Sequence, residues 1–184
     1  MKNINKKLSV LIVTVMLLNI SGFGYASTKQ AAPQISYYFS QPDHQTDVQL
    51  IKVIDSAKKT LDIAIYSITK PSIVNAITNA VKRGVNVRII TDKIQAKGKA
   101  QVVALGLLKK SKIPIMVNTH SGLMHLKVTI ADNSIVTTGS YNYSKGATEQ
   151  NDEVLVIIND SKIAQDFTDK FNFMWNDSKK FKNF

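Results

Sequence analysis

Hydrophobic and polar positions change their period several times along this chain, and each change predicts an element. Ile35–Phe39 (ISYYF) is β-branched and aromatic, the composition of a strand. After a Pro42-Asp43 turn, Asp47 reads as a helix N-cap, with Val48, Ile51, Ile54 and Ala57 following at helical spacing. Leu61–Tyr66 alternates with period two, as a strand does. Pro71 suits the first turn of a helix whose apolar stripe is Ile73, Ala76, Ile77, Ala80 and Val81, with Gly84 ending it. Val85–Thr91 is a strand, and Asp92–Lys99 a basic loop. The next helix carries a stripe at Ala100, Val103, Ala104, Leu107 and Leu108, and Ile113–Val117 a short strand. His125–Ala131 and Ser134–Thr138 form a hairpin turning at Asp132-Asn133. Gly139–Asp152 is a polar loop and Glu153–Ile158 a strand. A last helix presents Ile163, Phe167, Phe171, Met174 and Trp175 on one side as core. Strands and helices alternate, so the expected class is α/β, a mixed β-sheet with helices on both faces.

The first 26 residues depart from this pattern. Lys2, Lys6 and Lys7 precede an apolar run, Leu8–Ile20, which is short against the ~20 residues a membrane span needs. Gly24-Tyr25-Ala26 then offers small residues for cleavage. Residues 1–26 are therefore expected to be a secretory signal peptide, and 27–184 a single domain that is periplasmic or secreted, with no stable membrane association after cleavage; an uncleaved anchor is the alternative. The formal net charge is +11. Removing the leader takes three lysines and no acid, which leaves +8, a balance that favours polyanionic partners. The absence of cysteine excludes disulfides, zinc-thiolate sites and cysteine nucleophiles.

The hairpin carries the chemistry. Side chains two apart on a strand project the same way, so His125 and Lys127 share a face while Leu126 and Val128 take the other. Such a pair suits a phosphate: the lysine holds an oxygen, and the imidazole attacks phosphorus or moves a proton. Ser140 and Asn142, again two apart, offer neutral donors to a developing oxyanion. Gly139 allows close backbone approach. A carboxylate from Glu153 on His125 Nδ1–H would fix the reactive tautomer. Taken alone, His-x-Lys equally describes a strand-edge histidine beside a solvated lysine.

The combination is more specific. His125-x-Lys127-x4-Asp132, then Gly139-Ser140-x-Asn142, then Glu153, resembles the phospholipase D superfamily. Phe39-Ser40, Ile54-Asp55-Ser56-Ala57, Tyr66-Ser67 and Lys82-Arg83-Gly84-Val85 extend the resemblance to the small single-motif bacterial endonucleases called Nuc. That resemblance implies a phospholipase D-like fold and a two-step phosphodiesterase proceeding through phosphohistidine. His125 would be nucleophile in one subunit and acid/base in the other; Lys127, Asn142 and Ser140 would bind phosphate; Glu153 would orient His125; Asp132 completes the motif in a structural role. Two histidines are needed and the motif occurs once, so a homodimer with the active site formed by both chains is expected.

No cofactor and no metal is required by this reading. The chain has only two Glu, and its carboxylates and histidines are not spaced as metal ligands. Lys93, Lys97 and Lys99 either track a nucleic-acid backbone or form a solvated loop, and Tyr141 and Tyr143 either stack on bases or pack at the strand end. The leading expectation is a sequence-nonspecific, metal-independent endonuclease cutting DNA, and RNA as well. A lipid phosphodiesterase or phosphatidyltransferase, and a nucleic-acid-binding module without catalysis, are the alternatives.

Overall fold

The computed structural model describes residues 32–184, so the expected signal segment lies outside the described residues. The elements run β1 (Gln34–Phe39), α1 (Thr46–Ser56), β2 (Thr60–Ile65), α2 (Pro71–Lys82), β3 (Asn86–Thr91), α3 (Lys99–Lys110), β4 (Ile115–Asn118), β5 (Lys127–Ala131), β6 (Ile135–Gly139), α4 (Lys145–Glu149), β7 (Val154–Asn159), α5 (Ser161–Asn176) and β8 (Phe181–Asn183). All strands join one sheet in the order β1-β7-β6-β5-β2-β3-β4-β8. Among the strands of the described residues, only the β2–β3 and β3–β4 pairs are parallel. The sheet is mixed, as the alternation of elements leads one to expect.

Period-two alternation divides the core. Leu61, Ile63 and Ile65 of β2 face α1, α2 and α3, in a cluster that includes Leu50, Ile73, Ile77 and Leu108. Ala64, Ile90, Val128 and Val136 face α5, which contributes Phe171 and Met174 with Phe167 and Trp175 packed against them. Arg88, for which the sequence suggests no role, joins this second layer to the sheet. Its guanidinium forks onto Asp62 through two bonds of 2.7 Å, donates to Asn172 at 2.9 Å and lies over the Phe171 and Trp175 rings.

Three sequence expectations shift. Asp47 is not the N-cap of α1; Gln45 precedes the helix, and Asp47 sits in the first turn, paired with Lys70 at 3.2 Å. There its charge still complements the helix dipole. The buried stripe of α3 is Gln101, Ala104, Leu105 and Leu108, while Val103 and Leu107 face solvent. A polar residue sets this phase. Gln101 accepts from Ile68 N and donates to Thr91 Oγ1, both at 2.9 Å, so its amide is satisfied inside the fold. Finally, the polar stretch 139–152 contains α4, capped by Ser144, whose hydroxyl accepts from Ala147 N.

The β5–β6 turn places Asp132 and Asn133 at φ 51° and 52°, the left-handed pair of a type I′ hairpin. Asp132 lies at the opposite end of β5 from His125. Its carboxylate accepts the backbone N–H groups of Lys58, Lys59 and Thr60 at 2.8, 2.7 and 2.9 Å. Burial alone would raise its pKa, but these three donors and the Lys59 charge outweigh it and hold the carboxyl below its ordinary value. Asp132→Ala is expected to cost about 2–3 kcal/mol in urea unfolding at neutral pH. A depressed carboxylate stabilises above the ordinary carboxyl range and loses that contribution as pH falls through its lowered value. The gap between wild type and variant should therefore close in acid.

Candidate active site

One edge of the sheet collects the chemistry. The C-terminal ends of β1, β6 and β2 meet the N-terminal ends of β7 and β5 there, and an open cleft is lined by His125, Lys127, Gly139, Ser140, Asn142 and Glu153. The pieces arrive from three successive segments of the chain, because β5, β6 and β7 are adjacent antiparallel neighbours.

His125 precedes the first ladder residue of β5 and is exposed. Leu126, next to it, still accepts Tyr66 N at 2.8 Å, so the support remains sheet-like. Lys127 is 6% exposed. Its Nζ lies 3.0 Å from His125 Nδ1 and 3.1 Å from Nε2, and donates to the His125 carbonyl at 2.9 Å. An ammonium only donates and a neutral imidazole has one acceptor nitrogen, so only one of the two ring contacts is a hydrogen bond. The pair sets an imidazole beside a fixed positive charge.

Burial lowers the Lys127 pKa, with the Glu153 charge acting in the opposite sense. The folded protein thus holds this proton less firmly than the unfolded chain. Between the lowered value and the ordinary 10.5, stability rises with pH, while an activity that needs the ammonium falls. Lys127→Met is expected to cut turnover by about 10²–10³-fold, on the scale of losing one oxyanion donor. It should also leave the melting temperature equal or higher and abolish the alkaline rise in stability. A pH series of rates and thermal melts checks both.

Glu153 shares the cleft but does not bond His125. Its carboxylate accepts from Asn151 Nδ2 at 3.1 Å, so the expected bond to Nδ1 is absent here, and Lys127 occupies that side of the ring. Ser40, fully buried, anchors this corner: its hydroxyl accepts Glu153 N at 2.8 Å and donates to Asn151 O at 2.5 Å. Ser140 is pinned by Val154, accepting its N–H at Oγ and donating its own N–H to the Val154 carbonyl, each at 3.1 Å. The Asn142 amide oxygen is buried with no partner among the described residues, which leaves hydrogen-bonding capacity at the cleft.

Two further expectations are corrected. Tyr141 and Tyr143 are 1% and 0% exposed, so neither can stack on a base. Their hydroxyls meet Thr148 and Thr129 at 2.6 Å, and burial pushes both phenols up to about 12. Side chains at 141 and 143 fall on the inner face, where the strand end packs. Gly139 is required by packing rather than by ligand approach. Its φ is +128°, and a Cβ would stand 2.2 Å from the Val154 carbonyl oxygen. Of the basic loop, Lys93 is half-buried and donates to the Thr119 carbonyl at 3.3 Å and to that of His120, Lys97 is exposed in a 3₁₀ turn, and Lys99 opens α3 facing solvent.

Residue types alone did not reveal Tyr66 or Asp92. The Tyr66 ring meets His125 edge-on at 4.6 Å and lies under Lys127 Nζ at 5.1 Å, and its hydroxyl accepts from Gln95 Nε2 at 2.9 Å. Buried Asp92 accepts from Ile94 N, Gln95 N and Met124 N, and so ties the 3₁₀ turn to the residue before His125. The position of Tyr66 at the end of β2 was readable; its partner across the sheet was not. Among the described residues no three His, Asp or Glu side chains converge as metal ligands.

A mixed sheet that sets an exposed imidazole against a buried ammonium, with amide and hydroxyl groups on the facing strand ends, fits a class: enzymes that act on phosphodiesters. The family profile described as "Cardiolipin synthase, PLD-like domain" matches residues 50–175. Nuc from Salmonella typhimurium, a phospholipase D family member, superposes with a TM-score of 0.77 at 33% identity, over 83% of this chain and 99% of that one. NucT from Helicobacter pylori does so at 0.74 and 30%, over 83% and 100%. A phospholipase D of Rickettsia prowazekii is 31% identical over 143 residues, which is 78% of this chain and 68% of that protein. The chain belongs to the phospholipase D superfamily, close to its Nuc-type members, and is a phosphodiester hydrolase.

Proposed function

We propose that this protein is an exported, sequence-nonspecific endonuclease, acting on DNA and on RNA without a divalent metal, as a homodimer. The observation that carries the reading is a single His125–Lys127 pair at an open cleft of a strongly basic chain. Attack by His125 on phosphorus forms the N–P bond and expels one ester oxygen. A second imidazole must protonate that oxygen, and water then cleaves the N–P bond. One chain supplies one such imidazole at the cleft, so the second comes from the partner across a two-fold axis. Lys127, Asn142 and Ser140 hold the non-bridging oxygens. Glu153 receives Nδ1–H once phosphate draws the ammonium away. Residues 1–26 act as the export signal, which directs the enzyme to the periplasm or beyond.

A sheet face left uncovered by the described residues supports the dimer. Ile35, Tyr37 and Phe39 of edge strand β1 are 58%, 65% and 55% exposed, on the same face as half-buried Val154 and Val156 of β7. Phe39 and Val154 also line a small hollow with Ser140 and Glu153, so this apolar surface runs into the catalytic cleft.

Cleavage of plasmid and single-stranded DNA by the purified chain in excess EDTA tests the reading. Product formation that vanishes with EDTA would overturn it. The name of the Rickettsia relative and the family description favour a second reading, a lipid phosphodiesterase. Headgroup release from phosphatidylcholine or cardiolipin vesicles, with no nucleic-acid cleavage, would establish that one.

A further inference from the structure

Three strands along the same sheet edge from the cleft lies a second concavity, of about 450 Å³, between the 3₁₀ turn Gln95–Lys97 and the β4–β8 pair. Lys93, Lys97 and Lys182 line it, over a floor of Ala96, Val117 and the Phe184 ring, and no acidic side chain borders it. Among the described residues neither Lys97 nor Lys182 has a carboxylate within ion-pair distance. Lys93 is oriented by the Thr119 and His120 carbonyls, which places one ammonium of the trough firmly. Neighbouring strands are about 4.8 Å apart, so the step from β5 through β2 and β3 to β4 is roughly 14 Å.

We infer that this trough is an accessory phosphodiester subsite, binding the backbone of a single-stranded nucleic acid a few nucleotides away from the phosphate being cut. The inference rests on the nucleic-acid reading above. The charge arrangement supports it: cations with no carboxylate partner among the described residues, above an apolar and aromatic floor, accommodate phosphate and base together. So does position. In the proposed dimer the β1–β7 side is covered by the partner, and the edge past Tyr66 and Gln95 toward β4 is the side along which a strand can leave.

The test compares wild type with Lys97→Glu/Lys182→Glu on a single-stranded DNA 12-mer and on a dinucleoside monophosphate, whose one phosphodiester cannot reach the trough. KM for the 12-mer, taken relative to that for the dinucleotide, is expected to rise at least about tenfold, and the slope of log affinity against log salt to weaken by about 1.4, two phosphate contacts on a single strand. The neutral pair Lys97→Gln/Lys182→Gln is read the same way and stands in if charge reversal impairs folding. An unchanged KM ratio and salt slope overturn the subsite while leaving the nuclease intact. Wild type that hydrolyses the dinucleotide but no oligonucleotide overturns the nucleic-acid reading itself. Loss of binding to phosphatidylglycerol vesicles with unaltered 12-mer kinetics overturns the subsite in favour of a membrane-facing surface.

Discussion

Replacing His125 by alanine is expected to reduce phosphodiester cleavage by roughly 10⁴-fold or more, because the variant loses the attacking group and, in the dimer, the acid that releases the leaving oxygen. The two losses coincide, since one substitution removes both imidazoles of the proposed symmetric site. Folding should be untouched: the ring is exposed, and its contacts are with Lys127 and the edge of Tyr66. Affinity for single-stranded DNA should be retained within a few-fold, as Lys127 and Asn142 still meet the phosphate. Stopped cleavage, equilibrium binding and thermal melts on one preparation separate these effects. Equal nicking by wild type and His125→Ala would reject the nucleophile assignment. Acid trapping of a phosphorylated wild-type chain, absent from the variant, would identify the covalent species directly.

The second large effect concerns the proposed dimer interface. Tyr37→Asp with Phe39→Asp is expected to give a monomer at micromolar concentration and to lower cleavage by about 10³-fold or more, since neither chain then supplies the second imidazole. Tyr37 and Phe39 contact each other edge-on at 5.9 Å and project into solvent from an edge strand. A two-fold interface would bury both rings twice, about 150–250 Å² per ring. Carboxylates at the same positions would be desolvated without partners, at several kcal/mol each. In the isolated chain they remain in water, so the melting temperature of the monomer should change little. Light scattering with an activity assay reads the outcome, and a monomer with full activity would reject the shared site. The exposed aromatic strip also fits the fate of edge strands generally, which proteins cover, shorten or charge. Here it is neither short nor charged.

Both results bear on why the cleft is so sparsely held together. Lys127 is buried at a cost to its charged form, and among the described residues Asn142 keeps a buried amide oxygen without a partner and Glu153 forms no ion pair. Each is a local departure from full polar satisfaction, of the kind that functional sites carry. Removing Lys127 should therefore favour folding while removing activity, the opposite of the Asp132 substitution, whose three backbone bonds are already complete.

Much of this protein was readable from its residues. Period alone separated strands from helices, because a strand must bury alternate residues and a helix one in three or four. The left-handed pair Asp132-Asn133 closed the hairpin, and two-residue spacing set His125 beside Lys127 on one face. Other features depend on which strands become neighbours. That Glu153 shares a cleft with His125 follows from β7 pairing with β6, not from local spacing. That Tyr66 braces the histidine follows from β2 pairing with β5. Tyr141 and Tyr143 could stack or pack on sequence grounds, and only the covering layer of α1 and α4 turned them inward. Gln101 reversed the reading of α3, because a buried amide is tolerated only where distant donors and acceptors meet it. Local periodicity is written into the chain at short range; burial of a polar group is decided by partners that long-range pairing brings.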